Sequence, residues 1–471
     1  MYSTLLSLLI LALTGLFGEA AAFDPGSYDN WNFDILDTGI EPTDPSIRID
    51  SQGYPHIAYL RQDRSTRSTR ITYAYYSGSS WEFRTVLENY SIKYCFLALD
   101  GNDDPCIVFQ SGSRPYTISY ATPVPGGGWS IVEIASSANN GYLKALDSES
   151  NGNSHVIYYD ACSGSSEKDL HHLFFNGSAW VNEIVWWFGD GAGCFGVSQA
   201  LTSQNEPCLA HYNAWWGFID SKNSWVRPCY TVRSGGSWSY EYLGDYWGDQ
   251  TDIALTTGDL PRIVFQDGSE LCFASSNGST WQITNVDPAH EASEYCAIAS
   301  DGSDTPPIAY HDSVNDDLRY AWSSGSSWNT TLLDSDGEVG IAPDIAVDGN
   351  GNPFIIYNDV TNHQLKLAWF GDPTGVNSHE SGGVQNLSIH GVTPNPARNF
   401  LSITVSLSIQ TEVSVSIFDL SGRLVRRAPI AICEEGVSEL SLDITGLERG
   451  VYFVQASDGQ LSKAVEVTVL P

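Results

Sequence analysis

Tyr320-Ala321-Trp322-Ser323-Ser324-Gly325-Ser326-Ser327-Trp328 reads as the end of one strand, a tight turn and the start of the next. Ser-Gly supplies the positive φ that such a hairpin needs. The closing tryptophan opens a strand that continues to Asp334. This signature recurs. Trp31, Trp81, Trp129, Trp180, Trp238, Trp281 and Trp328 are nearly evenly spaced, and in six of the seven a glycine stands three residues earlier (Gly78, Gly126, Gly177, Gly235, Gly278, Gly325). Self-similarity at about 50 residues predicts the blades of a β-propeller, one four-stranded antiparallel sheet per repeat.

The other strands of the unit follow from period and turn chemistry. Asp344-Ile345-Ala346-Val347-Asp348 alternates, Gly349-Asn350-Gly351-Asn352-Pro353 is a turn, Phe354-Ile355-Ile356-Tyr357 is a continuous apolar run, and Leu365-Lys366-Leu367-Ala368-Trp369 alternates again. A run without alternation is expected of a strand buried on both faces. Seven copies of this pattern can be aligned. The seventh ends at Trp369-Phe370 with no glycine-tryptophan hairpin after it, whereas Trp31-Asn32-Phe33-Asp34-Ile35-Leu36-Asp37 is a fourth strand with nothing before it. The N-terminal strand should therefore complete the last blade and close the ring, leaving no open sheet edge.

Composition narrows the setting. Leu5 to Phe17 is apolar but shorter than the ~18 residues of a membrane helix, and Glu19-Ala20-Ala21-Ala22 offers a small-residue cleavage site. Residues 1–22 thus read as a secretory signal peptide, with no later membrane span expected. Against 22 basic residues stand 56 acidic ones, a net charge of −34, so nucleic acid is excluded as a partner by repulsion. Nine cysteines, eight of them in the repeats, lack any C-x-x-C spacing. They leave two alternatives, disulfides or buried free thiols.

After Phe370 the pattern dissolves into a Gly/Ser-rich linker over 371–385, and residues 386–471 form a second all-β unit. Its sequence resembles the type A C-terminal sorting domain of the bacterial type IX secretion system. The resemblance is carried by Pro394-Asn395-Pro396, by Val413 to Val425 with Asp419 and Gly422, by Leu447 to Val454 with Gly450 and Tyr452, and by Lys463-Ala464-Val465. It implies an Ig-like β-sandwich, partnership with the type IX machinery, and a route through periplasm and outer membrane to the cell surface or the medium. The propeller over 23–370 resembles secreted sialidase-like and lectin-like propellers in fold only. Ser276-Asn277-Gly278-Ser279-Thr280-Trp281 comes nearest to their Asp-box but lacks one residue.

No catalytic set assembles from the sequence. Arg61, Arg64, Arg67 and Arg70 are bunched in one stretch rather than spread one per blade, and no nucleophile elbow, H-E-x-x-H or P-loop is present. No cofactor or metal is expected. The one calcium-like run, Asp147-Ser148-Glu149-Ser150-Asn151-Gly152, lacks a distal glutamate and falls where other blades carry a plain turn.

The remaining signal is aromatic. Of fifteen tryptophans, six outside the repeat positions fall between 186 and 247. Trp186, Trp187 and Asp190, then Trp215 and Trp216, then Asp245, Tyr246, Trp247 and Asp249 place rings beside carboxylates in segments that should open on one face. Flat rings stack on the apolar face of a sugar while carboxylates bond its hydroxyls. The alternative is a local plug of loops folded on one another. Asp160, Asn213, Asp267, Asp312 and Asp359 end the second strands and face the same mouth, where Asp and Asn also serve as turn caps. The function expected is an exported ligand-binding module for a glycan or a surface; the alternatives are a glycoside hydrolase or lyase, or a structural surface protein.

Overall fold

The computed structural model describes residues 31–371 and 387–470, apart from short stretches that include 63–67, 138–140, 162–167, 189–191 and 216–224. The leader read over residues 1–22 lies outside the described residues. The chain divides into two compact units, Met1–Val376 and Asn377–Pro471.

Among the described residues the first unit forms seven four-stranded sheets. In six of them four consecutive strands lie side by side, as in Ser46–Ile49, Pro55–Gln62, Thr69–Tyr76 and Trp81–Asn89. The seventh joins Val339–Val347, Pro353–Asp359 and Gln364–Phe370 to the N-terminal strand Trp31–Thr38. Trp31 stands opposite Phe370, Asp34 opposite Leu367 and Thr38 opposite Gln364. The innermost strands touch their neighbours in sequence order, and Val339–Val347 touches Ser46–Ile49, so the ring is closed.

Local chemistry explains each element. Pro353–Asp359 is buried along its whole length, as a strand sandwiched within its own sheet and between two blades must be. Proline opens this second strand in five blades (Pro55, Pro105, Pro207, Pro261, Pro353), the position where its missing N–H costs no ladder bond. The turn before it is made by the residue that ends the inner strand. Asp50 accepts hydrogen bonds from the amides of Gln52 and Tyr54, Asp100 from those of Asn102 and Asp104, and Asp348 from those of Asn350 and Asn352.

Each inner strand is a sheet edge facing the axis, and side chains from the preceding blade satisfy part of it. The Asp344 carboxylate accepts from Ile47 N at 2.9 Å, Ser46 Oγ from Leu97 N at 3.3 Å, and Asp252 from Ile298 N at 2.8 Å. Burial pushes the Asp252 carboxyl up to about 7, against those amide bonds.

The blades pack through shared apolar cores. Trp31, Tyr320, Tyr357 and Phe370 belong to one such cluster, with Trp31 edge-on to Tyr320 at 5.0 Å and to Phe370 at 5.7 Å. The seven described cysteines of the propeller are free thiols and six are buried, which decides between the two alternatives at those positions; Cys162 lies outside the described residues. Burial pushes the Cys208 and Cys229 thiols up to about 12, so they stay protonated.

Antiparallel topology sends the two hairpins of every blade to one face. The second-to-third-strand loops and the interblade connections emerge on the other. On the hairpin face a buried polar chain joins the third and fourth blades. Glu149 bonds His155 at 2.8 Å, His155 bonds His172 at 2.9 Å, His172 bonds Glu183 at 2.9 Å, and Arg233 bridges Glu183 and Glu206 at 2.8 and 2.7 Å. Burial raises Glu183, but His172 and Arg233 overcome it and hold the carboxyl near 2. The run 147–152 is part of this arrangement: Glu149 also accepts from the amides of Asn151 and Asn153 across its own turn.

The second unit is a two-sheet sandwich. Leu387–Thr393, Phe400–Leu407 and Gly436–Asp443 form one sheet; Leu424–Arg427, Thr411–Asp419, Gly450–Ser457 and Ser462–Val469 form the core of the other. Alternation places Leu401, Ile403 and Val405 from the first against Val413, Val415, Ile417, Val454 and Val467 from the second.

Candidate functional site

The loop face is where one blade hands over to the next, and the aromatic residues singled out above sit at two such junctions and at the second-to-third-strand connection of the blade between them. Trp186 and Trp187 lie within the outer strand Trp180–Phe188, Trp215 ends Pro207–Trp215, and Trp225 opens the strand that pairs with it. These strands run further toward the face than alternation alone suggested, so four of these tryptophans belong to strands rather than to free loops. The side chains of Trp187, Trp215 and Trp225, and the whole of Asp190 and Trp216, lie outside the described residues.

At the junction of the third and fourth blades Trp186 is half-buried and built into the seam. Its ring lies 3.9 Å from that of Tyr240 and 6.5 Å from that of Tyr242, with His211 edge-on at 6.0 Å. Tyr240 is 56% exposed, so the seam ends in an aromatic step at the surface. Arg227 stacks over Tyr242 at 5.7 Å and pairs with Asp245 at 2.6 Å. That pair is open to water and adds little to stability.

The connection from the fourth to the fifth blade presents its residues differently. Tyr246 turns inward onto Phe265 at 5.3 Å. Trp247 turns outward and is 68% exposed. Its main chain is fixed, because its N–H donates to Asp267 Oδ1 at 2.8 Å and its carbonyl accepts from Gly268 N at 2.7 Å. Gly248 permits this approach, since a Cβ there would sit 2.4 Å from the carbonyl oxygen of Gln266. Asp245 and Asp249, two positions to either side in the sequence, are exposed.

Among the residues that end the second strands, Asp312 and Asp359 act as turn caps. Asp312 accepts from the amides of Val314 and Asn315, and Asp359 from that of Asn362. Asp267 instead anchors Trp247.

A cluster that the sequence did not suggest lies between the fifth and sixth blades. Buried Asp287 accepts from the Tyr310 hydroxyl and from His290 Nδ1 at 2.9 Å. Arg319 donates to Asp312 at 3.0 Å and to His290 Nε2 at 2.8 Å. A guanidinium has only donors, so His290 Nε2 must accept and the ring proton sits on Nδ1 toward Asp287. The histidine is locked in one tautomer with its lone pair occupied, which suits a rigid loop better than a free base. Asp287 shares its loop three residues earlier, but Arg319 stands 29 residues further along the chain on a strand, beyond any local motif.

Beneath Trp186, fully buried His211 bonds Thr231 Oγ1 at 2.9 Å, and burial lowers its imidazole to about 4. A group whose folded pKa lies below its unfolded value of ~6.5 favours the fold above that value and loses this contribution as pH falls toward the folded pKa. Asp252, raised to about 7, acts in the opposite sense, so the net profile of the whole protein hides the effect. The stability difference between wild type and His211→Asn should isolate it, shrinking by about 3 kcal/mol between pH 7 and pH 4 in denaturant melts. A difference that stays constant across that range would show that the imidazole does not titrate as its burial requires.

In the second unit, Tyr452 is buried and stands across the sheet from Asp419. Pro394 and Pro396 are exposed and lead into buried Ala397, which is pinned to the last strand through the carbonyl of Thr468. Asn395, Gly422 and the side chains of Asp419 and Lys463 lie outside the described residues.

Residues 391–469 match the family model of the secretion system C-terminal sorting domain. The chain carries a type IX sorting tail and is exported to the cell surface or the extracellular space. No helix among the described residues is long and apolar enough to cross a membrane. A search of curated proteins gave no match. Similar solved structures include a protein of unknown function from Dyadobacter fermentans DSM 18053 (12% identity, 74% of this chain and 100% of that one, TM-score 0.45). Two others are an α-L-arabinanase of Penicillium chrysogenum complexed with arabinobiose (11%, 73% and 99%, 0.45) and an ulvan lyase (15%, 62% and 79%, 0.44). At these values the likenesses carry nothing about activity, and the all-β propeller stands on its own sheet order.

Proposed function

We propose that this exported propeller is a binding module that takes a glycan on its loop face, with Trp247 as the stacking platform. One observation supports this most. A large flat ring is held out into solvent by a main chain fixed at both sides, in a segment that carries exposed carboxylates at Asp245 and Asp249. Leaving such a ring in water forgoes the 1.5–3 kcal/mol or so that burying a large apolar side chain supplies, and rigid aromatic surface with flanking hydroxyl acceptors is what a sugar needs. Trp186, packed against Tyr240, serves as the wall of the neighbouring seam.

A glycan array on the wild-type protein, repeated with Trp247→Ala and Trp186→Ala, tests this. Loss of one stacked ring is worth about 1 kcal/mol, roughly fivefold in affinity. Trp247→Ala should show that loss with its melting temperature unchanged, while Trp186→Ala should lower the melting temperature. Undiminished binding by Trp247→Ala would overturn the assignment. Turnover of the bound sugar in the same assay would replace the binding module with a hydrolase or lyase.

A further inference from the structure

A second site lies on the far side of the ring, where the N-terminal strand of the seventh blade meets the first blade. A cavity of about 480 Å³ opens there, lined by Leu36, Asp37, Tyr59, Arg61, Arg70, Thr72, Phe83 and Thr85 among others. This falls within the ~300–1,000 Å³ of small-molecule sites.

Its charge arrangement is unusual for so acidic a protein. Arg61 and Arg70 stand directly opposite each other on adjacent strands, and like charges in that position repel. Among the described residues, one carboxylate lies between the blades to relieve them. Asp37 pairs with Arg61 and accepts the Tyr59 hydroxyl at 2.8 Å. Arg70 is left over among the described residues: its Nε, shut off from solvent, has no hydrogen-bond partner there, while the Thr72 hydroxyl bonds that of Tyr59. Glu88, opposite Arg70 on the outer strand, is exposed and accepts instead from Ser68 at 2.7 Å. Arg84 at the rim donates to Tyr75 at 2.8 Å and stacks over its ring. Phe83 completes the wall with an apolar ring that is 48% exposed.

Two facing guanidiniums that share one carboxylate among the described residues, and an exposed flat ring, around one cavity match an acidic sugar. The anion would answer Arg70, and the apolar face of the sugar ring would lie on Phe83. We infer that this cavity binds a sugar residue carrying a carboxylate or a sulfate ester, with Arg70 as the anion-reading group. The site stands on its own residues and does not depend on Trp247.

Calorimetric titration of the full-length protein with glucuronate, glucose 6-sulfate and glucose tests this, in about 150 mM salt, where the net negative charge is screened beyond ~8 Å. At least one of the two anionic sugars should bind in the millimolar range or tighter, with glucose at least tenfold weaker; whichever binds identifies the anion. Arg70→Gln should abolish the preference over glucose without lowering the melting temperature, since it removes a repulsion rather than a packing contact. Phe83→Ala, which leaves the charges untouched, should weaken both sugars roughly fivefold. Trp247→Ala should leave all three titrations unchanged, so this site and the loop-face reading fail separately. Equal binding of glucose and the anions, absence of binding by both anions, or full anion binding by Arg70→Gln would each overturn the inference.

Discussion

Replacing Trp31 with alanine should cost the propeller about 3–5 kcal/mol, the range for truncating a buried aromatic, and removing residues 31–38 should leave no stable ring. Trp31 is 6% exposed and packs edge-on against Tyr320 of the sixth blade and Phe370 of its own. The strand it opens runs antiparallel along Gln364–Phe370 from Trp31 to Thr38. Without it the seventh blade presents an unpaired edge, and exposed edges recruit other chains. Denaturant melts of Trp31→Ala, and light scattering by the deleted form, read these two effects. A loss below ~1 kcal/mol, or a monodisperse and cooperatively folding deletion, would show that ring closure does not rest on this strand.

Truncating the chain before Asn386 should reduce the exported protein to background while the propeller accumulates, folded, in the periplasm. The sorting unit has its own core, built from two facing sheets, and the propeller closes its ring with residues no later than Phe370. Neither therefore draws on the other for an element of its fold. Cell fractionation with limited proteolysis of the periplasmic pool measures both halves of the expectation. Normal export of the truncated protein would contradict the role of residues 391–469; rapid proteolysis would show that the propeller needs its tail to fold.

Local signals made the fold readable. The glycine-tryptophan hairpins mark the third and fourth strands because a positive-φ turn and a large apolar ring both leave traces in neighbouring residues. Trp31 could be assigned to the far end of the chain because Tyr28 stands where the hairpin glycine would be. The functional surface was legible only in part. Trp247 and its flanking carboxylates were found by composition, but nothing local distinguishes its outward ring from Trp186, whose burial depends on Tyr240 54 positions later in an adjacent blade. The arginines at 61 and 70 were visible as a cluster. Their register across two strands, and the arrival of Asp37 from the other end of the ring, are properties of closure. The Asp287–His290–Arg319 cluster is also non-local: one loop supplies Asp287 and His290, and the strand Asp317–Ser323 brings Arg319.

The free thiols give the molecule a history as well as a structure. An exported chain with nine cysteines meets an oxidising compartment, where any two thiolates that meet before folding could be joined. Once the blades form, burial holds thiols such as Cys208 and Cys229 in their unreactive protonated form. Sheet-rich folds of non-local pairing take roughly milliseconds to seconds to form, whereas disulfides take seconds to hours. Maturation is thus a race between two clocks, and a variant that folds slowly would fail by trapping itself in wrong cross-links before its ring had closed.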